Sequence, residues 1–302
     1  MFYSPLRYPG GKNRLSAFLA KICMDNNIHR HYVEPYAGGA SVALFLLLEG
    51  YVEKITINDK DRSIYAFWHS VKYQSEDLCN LIDNTNISIE NWHIQKKIQK
   101  EKEKENIDLL TLGFSTLFLN RTNRSGIIKG GVIGGVNQNG NYKIDCRFNK
   151  DEIKQRIRKI AKFSEYIDLY NSDAIDLIDQ IQEQSCIDNG TIFYFDPPYY
   201  LKADQLYMNH YLDEHHKEVS EKIKNIKNVH WLVSYDDNEN IEKLYMNFPT
   251  KKYSFNHSAG TAKAGKEILF FSEGIQQPQI DNYNPINFRI TVKQNKKEII
   301  YT

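Results

Sequence analysis

Asp196-Pro197-Pro198-Tyr199 is the tetrapeptide with the most chemistry in the chain. It follows Thr191-Ile-Phe-Tyr-Phe195, whose consecutive apolar residues mark a strand covered on both faces. In an open α/β sheet, ligands sit beyond the carboxyl ends of the strands. Two prolines cannot continue a ladder, so they fix a rigid, extended turn with unpaired carbonyls. A carboxylate, a backbone carbonyl and an aromatic ring are thereby set side by side. Asp196 and the Pro197 carbonyl provide two acceptors for the two N–H groups of a planar exocyclic amine. The Tyr199 ring offers a stacking face, a contact worth roughly 1–3 kcal/mol for a base. The bland alternative is a strand-end Asp in a Pro-rich loop.

Two glycine turns accompany this motif. Glu34-Pro-Tyr-Ala-Gly-Gly-Ala-Ser41 stands where a Rossmann-like sheet holds a nucleotide or nucleoside. Asp59, ending the next strand, is spaced to accept from a ribose 2′-hydroxyl. The turn is not G-x-G-x-x-G and no Walker lysine follows, which argues against an NAD-dependent dehydrogenase. Arg7-Tyr-Pro-Gly-Gly-Lys12 is a second glycine loop, whose ammonium would neutralise a ligand carboxylate.

These residues need a sheet to hold them, and the patterning supplies one. Leu15, Phe18, Leu19 and Ile22 recur at helical spacing; a short strand, Tyr32 to Pro35, follows. Ser41 is placed to cap an apolar helix through Glu49, and Lys54 to Asp59 reads as a β-branched strand, completing a βαβ unit. The rhythm resumes with a strand from Ile167, a helix through Ile181, the strand before Asp196, a helix His215 to Ile226, a strand Val229 to Ser234 and a β-like tail, Phe288 to Val292. Between Ser63 and Lys150 it is interrupted by a helix-like segment (Ile64 to Val71), a charged run (Lys96 to Glu105) expected as a solvated helix face, and a Gly/Asn-rich loop (Asn120 to Asn141). The class is α/β with a mainly parallel sheet and one insertion.

Composition narrows the classes. With 302 residues, 41% apolar and 25% charged, the chain is that of an ordinary globular protein, neither disordered nor membrane-spanning. Its longest clean apolar run, Val42 to Leu48, is short of a bilayer span, and no signal-peptide core precedes it, so the cytoplasm is the expected location. Cys23, Cys79, Cys146 and Cys186 have neither disulfide nor zinc spacing and are expected as reduced packing residues; no metal site is expected from the histidines either. Lys and Arg number 39 against 38 Asp and Glu, which excludes a polycation. Yet Arg121 to Lys162 holds eleven Lys/Arg and three Asp/Glu, a local +8 set against −7 elsewhere, so one basic segment could follow phosphates.

In these motifs and their order the chain resembles the Dam-type (α-class) DNA adenine-N6 methyltransferases, which use S-adenosylmethionine. The resemblance covers nearly the whole chain. Tyr8-Pro-Gly-Gly-Lys12 matches the family's aromatic-x-G-G-K element, Glu34 to Ser41 its cofactor loop, Asp59 its ribose-binding acid, Ser172-Asp173 the acid near the cofactor adenine, and Asp196 to Tyr199 its catalytic motif. The family often reads F-x-G-x-G-S, whereas here the second glycine, Gly39, comes one place early. The resemblance implies Asp196, Pro197, Pro198 and Tyr199 as catalytic residues. It implies Tyr8, Gly11, Lys12, Glu34, Tyr36, Gly38, Asp59, Asp173 and Asp196 around the cofactor.

The implied fold is a Rossmann-like methyltransferase sheet with an inserted, mainly helical target-recognition region. Residues 1–62 and 151–302 would form the catalytic domain, and residues 63–150 the DNA-binding insertion. Phe118 to Gly126 resembles the family's DNA-contacting loop. Arg121 and Arg124 have forks suited to guanine or phosphate, and Asn120 or Asn123 has an amide suited to an adenine edge. Lys129, Lys143 and Arg147 extend the basic surface. The implied activity is site-specific methylation of N6 of a flipped-out adenine. Methylation of RNA adenine or another planar amine, and a non-catalytic DNA-binding role, are the alternatives. Double-stranded DNA is the implied partner; a cognate restriction endonuclease and a monomer or weak dimer are the further expectations.

Overall fold

The computed structural model describes residues 3–8, 12–184, 188–200, 213–256, 264–293 and 296–302; Gly11, Cys186 and His210 lie outside them. Seven strands make one sheet: β1 (His31–Glu34), β2 (Lys54–Asn58), β3 (Ile167–Tyr170), β4 (Thr191–Phe195), β5 (His230–Asp236), β6 (Thr250–Asn256) and β7 (Ala264–Phe271). Their order is β3-β2-β1-β4-β5-β7-β6. β1 to β5 pair in parallel, and β7 runs antiparallel to both its neighbours. The expected α/β class with a mainly parallel, Rossmann-like sheet is therefore borne out.

Period-2 alternation divides the core. Ile192 and Tyr194 of β4 point to one face with Tyr32, Ile55, Leu232 and Leu269. On that face lie α1 (Ser16–Asp25), α2 (Ser41–Leu48) and the helices that follow β2. Phe193 and Phe195 point to the other face with Trp231, Val233 and Phe270, covered by α8 (Ala174–Gln182), α9 (Asp213–Lys224) and α10 (Glu239–Leu244). Burial on both faces is why β4 is apolar at consecutive positions. Helix α2 is apolar all round because Val42 to Leu47 are all buried.

Between β2 and β3 run α3 (Arg62–Tyr73), α4 (Ser75–Asn84), α5 (Ile89–Lys100), α6 (Leu109–Thr122) and α7 (Lys150–Ala161). Asp61, Ser88, Asp108 and Asn149 cap four of them by accepting from first-turn backbone N–H groups. Gly113 lets α6 lie close on α3, since a Cβ there would come within 2.5 Å of the Ala66 carbonyl oxygen. The apolar residues of α3, α4, α6 and α7 join the same hydrophobic cluster as one face of the sheet. A final hairpin, β8 (Phe288–Lys293) and β9 (Lys296–Tyr301), packs on α1.

Three local expectations are corrected. Ser41 is the first helical residue of α2, and the capping position belongs to Ala40 in left-handed backbone (φ 46°). That end is served instead by Glu34, which accepts from the Ala43 N–H at 3.3 Å. The charged run Lys96 to Glu105 leaves its helix at Lys100, because Lys102 turns inward to the buried Asp61 at 2.9 Å. Cys146 is exposed, unlike the buried Cys23 and Cys79. Among the described residues no helix is long and apolar enough to cross a membrane.

Candidate active site

The sheet order reverses between β1 and β4, the place where open α/β sheets take ligands. Glu34 ends β1 there, and Asp196 follows β4. Four acidic residues, Glu34, Asp59, Asp173 and Asp196, stand at or just beyond the carboxyl ends of β1, β2, β3 and β4.

Asn58, the last residue of β2 and 1% exposed, joins three of these loops. Its amide donates to the carbonyls of Pro35 (2.9 Å) and Ser172 (3.0 Å) and accepts from the Ser172 N–H (2.9 Å). Its backbone carbonyl accepts from the Ala37 N–H at 2.8 Å. Sequence reasoning missed Asn58; its only signal is an amide among β-branched neighbours at a strand end. Asp59 accepts from the N–H of Gly38 (3.0 Å) and of Asp61 (2.9 Å). Trp68 donates to the Gly38 carbonyl at 2.9 Å, fixing the glycine turn from below. The Tyr8 ring lies over that turn: a Cβ on Gly38 or Gly39 would meet Tyr8 carbons at 2.6 and 2.9 Å. That contact leaves no room for a Cβ at either position. Tyr36 is half-buried beside the turn, against the other face's core. Asp173 caps α8 through the Ile175 N–H (3.0 Å) and pairs with Lys60 at 2.8 Å.

Around Asp196 a buried polar cluster gathers residues from both ends of the chain. The Lys12 ammonium, from a 3₁₀ turn over Lys12–Leu15, lies 3.1 Å from Asp196 Oδ1 and 3.1 Å from Glu267 Oε1. Lys12 also donates to the Tyr199 hydroxyl, which donates to Glu267 Oε1; Tyr253 donates to Glu267 Oε2. Ser234 donates to Asp196 Oδ1 at 2.8 Å and is itself bonded to Tyr194 at 2.9 Å. Ser234 ends a strand the sequence predicts, and no sequence signal marks Glu267; both lie on strands, facing Asp196 or its cation.

Two sequence expectations change here. Lys12 faces the protein's own carboxylates and is 8% exposed, so it is not a free counter-charge for a ligand carboxylate. Tyr199 is 5% exposed with the Lys12 ammonium 4.6 Å from its ring centre, so it is an anchored member of the cluster and not an open stacking platform. Pro197 and Pro198 are buried beneath the turn they shape.

The electrostatics follow from burial. Burial pushes the Glu34 carboxyl well above the usual range, and the charge of Asp196 adds to this against the Ala43 N–H. Burial, then Asp61, raises Asp59 to about 7 despite its two backbone N–H donors. Asp196 is raised by burial and by Glu267, with Lys12 opposing. For Glu267 burial is outweighed by Lys12 and the two tyrosines, and its carboxyl is lowered. Burial alone would discharge Lys12, but Asp196 and Glu267 together hold its ammonium charged. A rim of carboxyl groups at the strand ends suits a ligand that presents hydroxyl and amine N–H groups.

Residues 8–258 match the D12 class N6 adenine-specific DNA methyltransferases, from the glycine loop before Lys12 to beyond β6. The chain belongs to that family. The type II methyltransferase M.MjaIII of Methanocaldococcus jannaschii is 24% identical over 212 residues, 64% of this chain and 68% of that protein. Among solved structures, PH1948 from Pyrococcus horikoshii aligns at 10% identity with a TM-score of 0.38, over 88% of this chain and 86% of that one. The rRNA methyltransferase aviRa from Streptomyces viridochromogenes aligns at 9% identity and 0.34, over 84% and 83%. S-adenosylmethionine is the cofactor that membership of this methyltransferase family assigns to the chain.

Its expected DNA-contacting residues fall into two sets. Arg124, Lys129, Lys143 and Arg147 are exposed. Asn120 and Asn123 are 1% and 0% exposed, which corrects their assignment to base edges. Helix α6 continues through Thr122, so Asn120 faces inward. Its amide accepts from the Arg7 N–H (2.7 Å) and donates to the carbonyls of Arg7 and Gly126 (both 2.9 Å). Asn123 accepts from Trp92 (2.7 Å) and donates to the carbonyls of Ile127 and Ile128. Arg121 is half-buried and donates to the Pro5 carbonyl. Asn120 and Arg121 thus clamp the segment leading to Lys12, and Asn123 ties α5 to the turn after α6. Part of the basic excess is also neutralised: Lys154 pairs with Asp83, Arg156 with Glu152 and Arg158 with Glu76.

Proposed function

We propose that this D12-class methyltransferase modifies N6 of an adenine flipped out of duplex DNA at a specific sequence. The observation that carries the proposal is the state of Asp196. Both hydrogen-bond or ion-pair contacts described for its carboxylate end on Oδ1, which leaves Oδ2 at the end of β4 for a ligand N–H. The target amine lies inside the base stack, so the nucleotide must be extruded at a cost of a few kcal/mol. Asp196 Oδ2 and the Pro197 carbonyl then accept its two N–H groups, raise the electron density on the nitrogen and fix the direction of its lone pair, which stands perpendicular to the ring; the amine sheds one proton after it has accepted the methyl group. When bound, S-adenosylmethionine supplies an electrophilic methyl group on a sulfonium; Glu34, Asp59 and Asp173 would hold it. The residues' work is positioning, which accounts for most of the rate.

The exposed Arg124, Lys129, Lys143 and Arg147 support DNA as the polymer bound. A cognate restriction endonuclease and a monomeric or weakly dimeric state belong to the same proposal. Asp196→Ala tests it: cofactor and DNA binding are expected to persist while methyl transfer is lost, and substantial residual transfer would overturn the assignment. Competition with RNA of the same sequence distinguishes the RNA alternative through the 2′-hydroxyl.

A further inference from the structure

We infer that Glu267 is a positioning residue for this methyl transfer: it draws Lys12 and Tyr199 to itself, so that Asp196 is gripped through Oδ1 and keeps Oδ2 for the substrate amine. The inference rests on the proposed function. Glu267 sits in β7, 5% exposed, and both its oxygens are committed. Oε1 receives Lys12 and Tyr199; Oε2 receives Tyr253. The ammonium is shared evenly, 3.1 Å from each carboxylate. Without its second anion, Lys12 would have Asp196 as its one carboxylate neighbour among the described residues, and the pull that holds it away from Oδ2 would be lost. A buried ion pair rarely outperforms apolar packing for stability alone. Here the pair lies against the carboxylate that must be left half open.

The ionisable groups facing Asp196 are Lys12 from the 3₁₀ turn, Tyr194 of β4, Glu267 of β7, and Glu34 and Tyr32 of β1, with Tyr199 following Asp196 and Tyr253 of β6 behind Glu267. Glu267 disfavours the ionised form of Asp196, and Lys12 and the Ser234 hydroxyl favour it. An amine N–H needs the ionised form, so activity falls on the acid side as Asp196 takes up a proton.

The test uses full-length Glu267→Gln with unmethylated duplex DNA and S-adenosylmethionine. The expected result is a loss in kcat of about 10- to 100-fold from misplacement of reacting groups. KM values should stay within about twofold, because the amine contact is a small part of the binding surface and the phosphate and cofactor contacts lie elsewhere. The acid limb of kcat moves to lower pH, since a like charge is removed from beside Asp196; a merely structural role would not move it. Should that variant fail to fold, Tyr253→Phe frees Oε2 to draw Lys12 from Asp196, and the limb must move the other way. Wild-type kcat with an unmoved limb in Glu267→Gln, or an unmoved limb in Tyr253→Phe, overturns the inference. A wild-type chain that methylates no DNA would instead overturn the function on which it rests.

Discussion

Replacing Asn120 by Ala separates a structural clamp from a base-reading side chain. The substitution removes three hydrogen bonds of 2.7, 2.9 and 2.9 Å and strands the N–H and carbonyl of half-buried Arg7 and the buried carbonyl of Gly126. At about 1 kcal/mol net for each bond, the loss is about 3 kcal/mol, and more if water does not reach the stranded groups. For a chain of 302 residues that lowers the thermal midpoint by roughly 5 °C. Thermal and urea unfolding should be measured beside DNA affinity well below the midpoint, where the variant is folded. The clamp predicts a drop of that size in midpoint, with binding changed equally on all DNA sequences. A base-reading amide predicts an unchanged midpoint and about 1–3 kcal/mol lost at one base pair. The second outcome would refute the assignment of Asn120 to the scaffold.

Two further predictions concern charge. Replacing Arg124, Lys129, Lys143 or Arg147 by Gln should lower the slope of log affinity against log salt by about 1 for each phosphate left without its cation. Replacing Lys154 or Arg158, which are paired with Asp83 and Glu76, should leave it unchanged, and equal effects in both groups would show that ion pairing does not sort these cations. The second concerns Asp59, whose carboxyl rises from 3.8 to about 7 on folding. Its protonated form therefore adds stability below the unfolded value, lost as pH rises through about 7. A ribose hydroxyl needs the ionised form, so affinity for S-adenosylhomocysteine should rise with pH through about 7 and then level off. Asp59→Asn should flatten that titration; a persisting rise would place the ionising group elsewhere.

Much of the sheet is legible in the residues. β4 occupies the consecutive apolar positions Thr191–Phe195, and the acids at the strand ends fall where a Rossmann-like sheet needs them. Local rules decide such features: periodicity, proline chemistry, glycine backbone freedom. The roles of Glu267, Ser234 and Asn58 are not local. Glu267 meets Lys12 across 255 positions, and no pattern within β7 announces that partner. Asn120 is a different failure. Three positions after Leu117, it continues the buried stripe of α6, but basic neighbours and following glycines make the segment read as an exposed loop. At Gly126 the backbone φ is +78° and a Cβ would meet the Arg7 carbonyl oxygen at 2.0 Å, so that glycine serves a close approach within the protein.

The place of β7 has a consequence for how the molecule is made. The sheet is not laid down in chain order: β7 enters between β5 and β6, bringing Glu267 to an ammonium that left the ribosome some 255 residues earlier. Until then Lys12 lacks one of its two anions, and Tyr199 and Tyr253 have no common acceptor. Contacts of such separation form late, because loop closure comes before any compensating contact. A nascent chain stopped short of β7 would carry every glycine turn and the whole Asp-Pro-Pro-Tyr segment, yet have no settled active site. The set of partners around Lys12 is thus complete only once one of the last strands has been added.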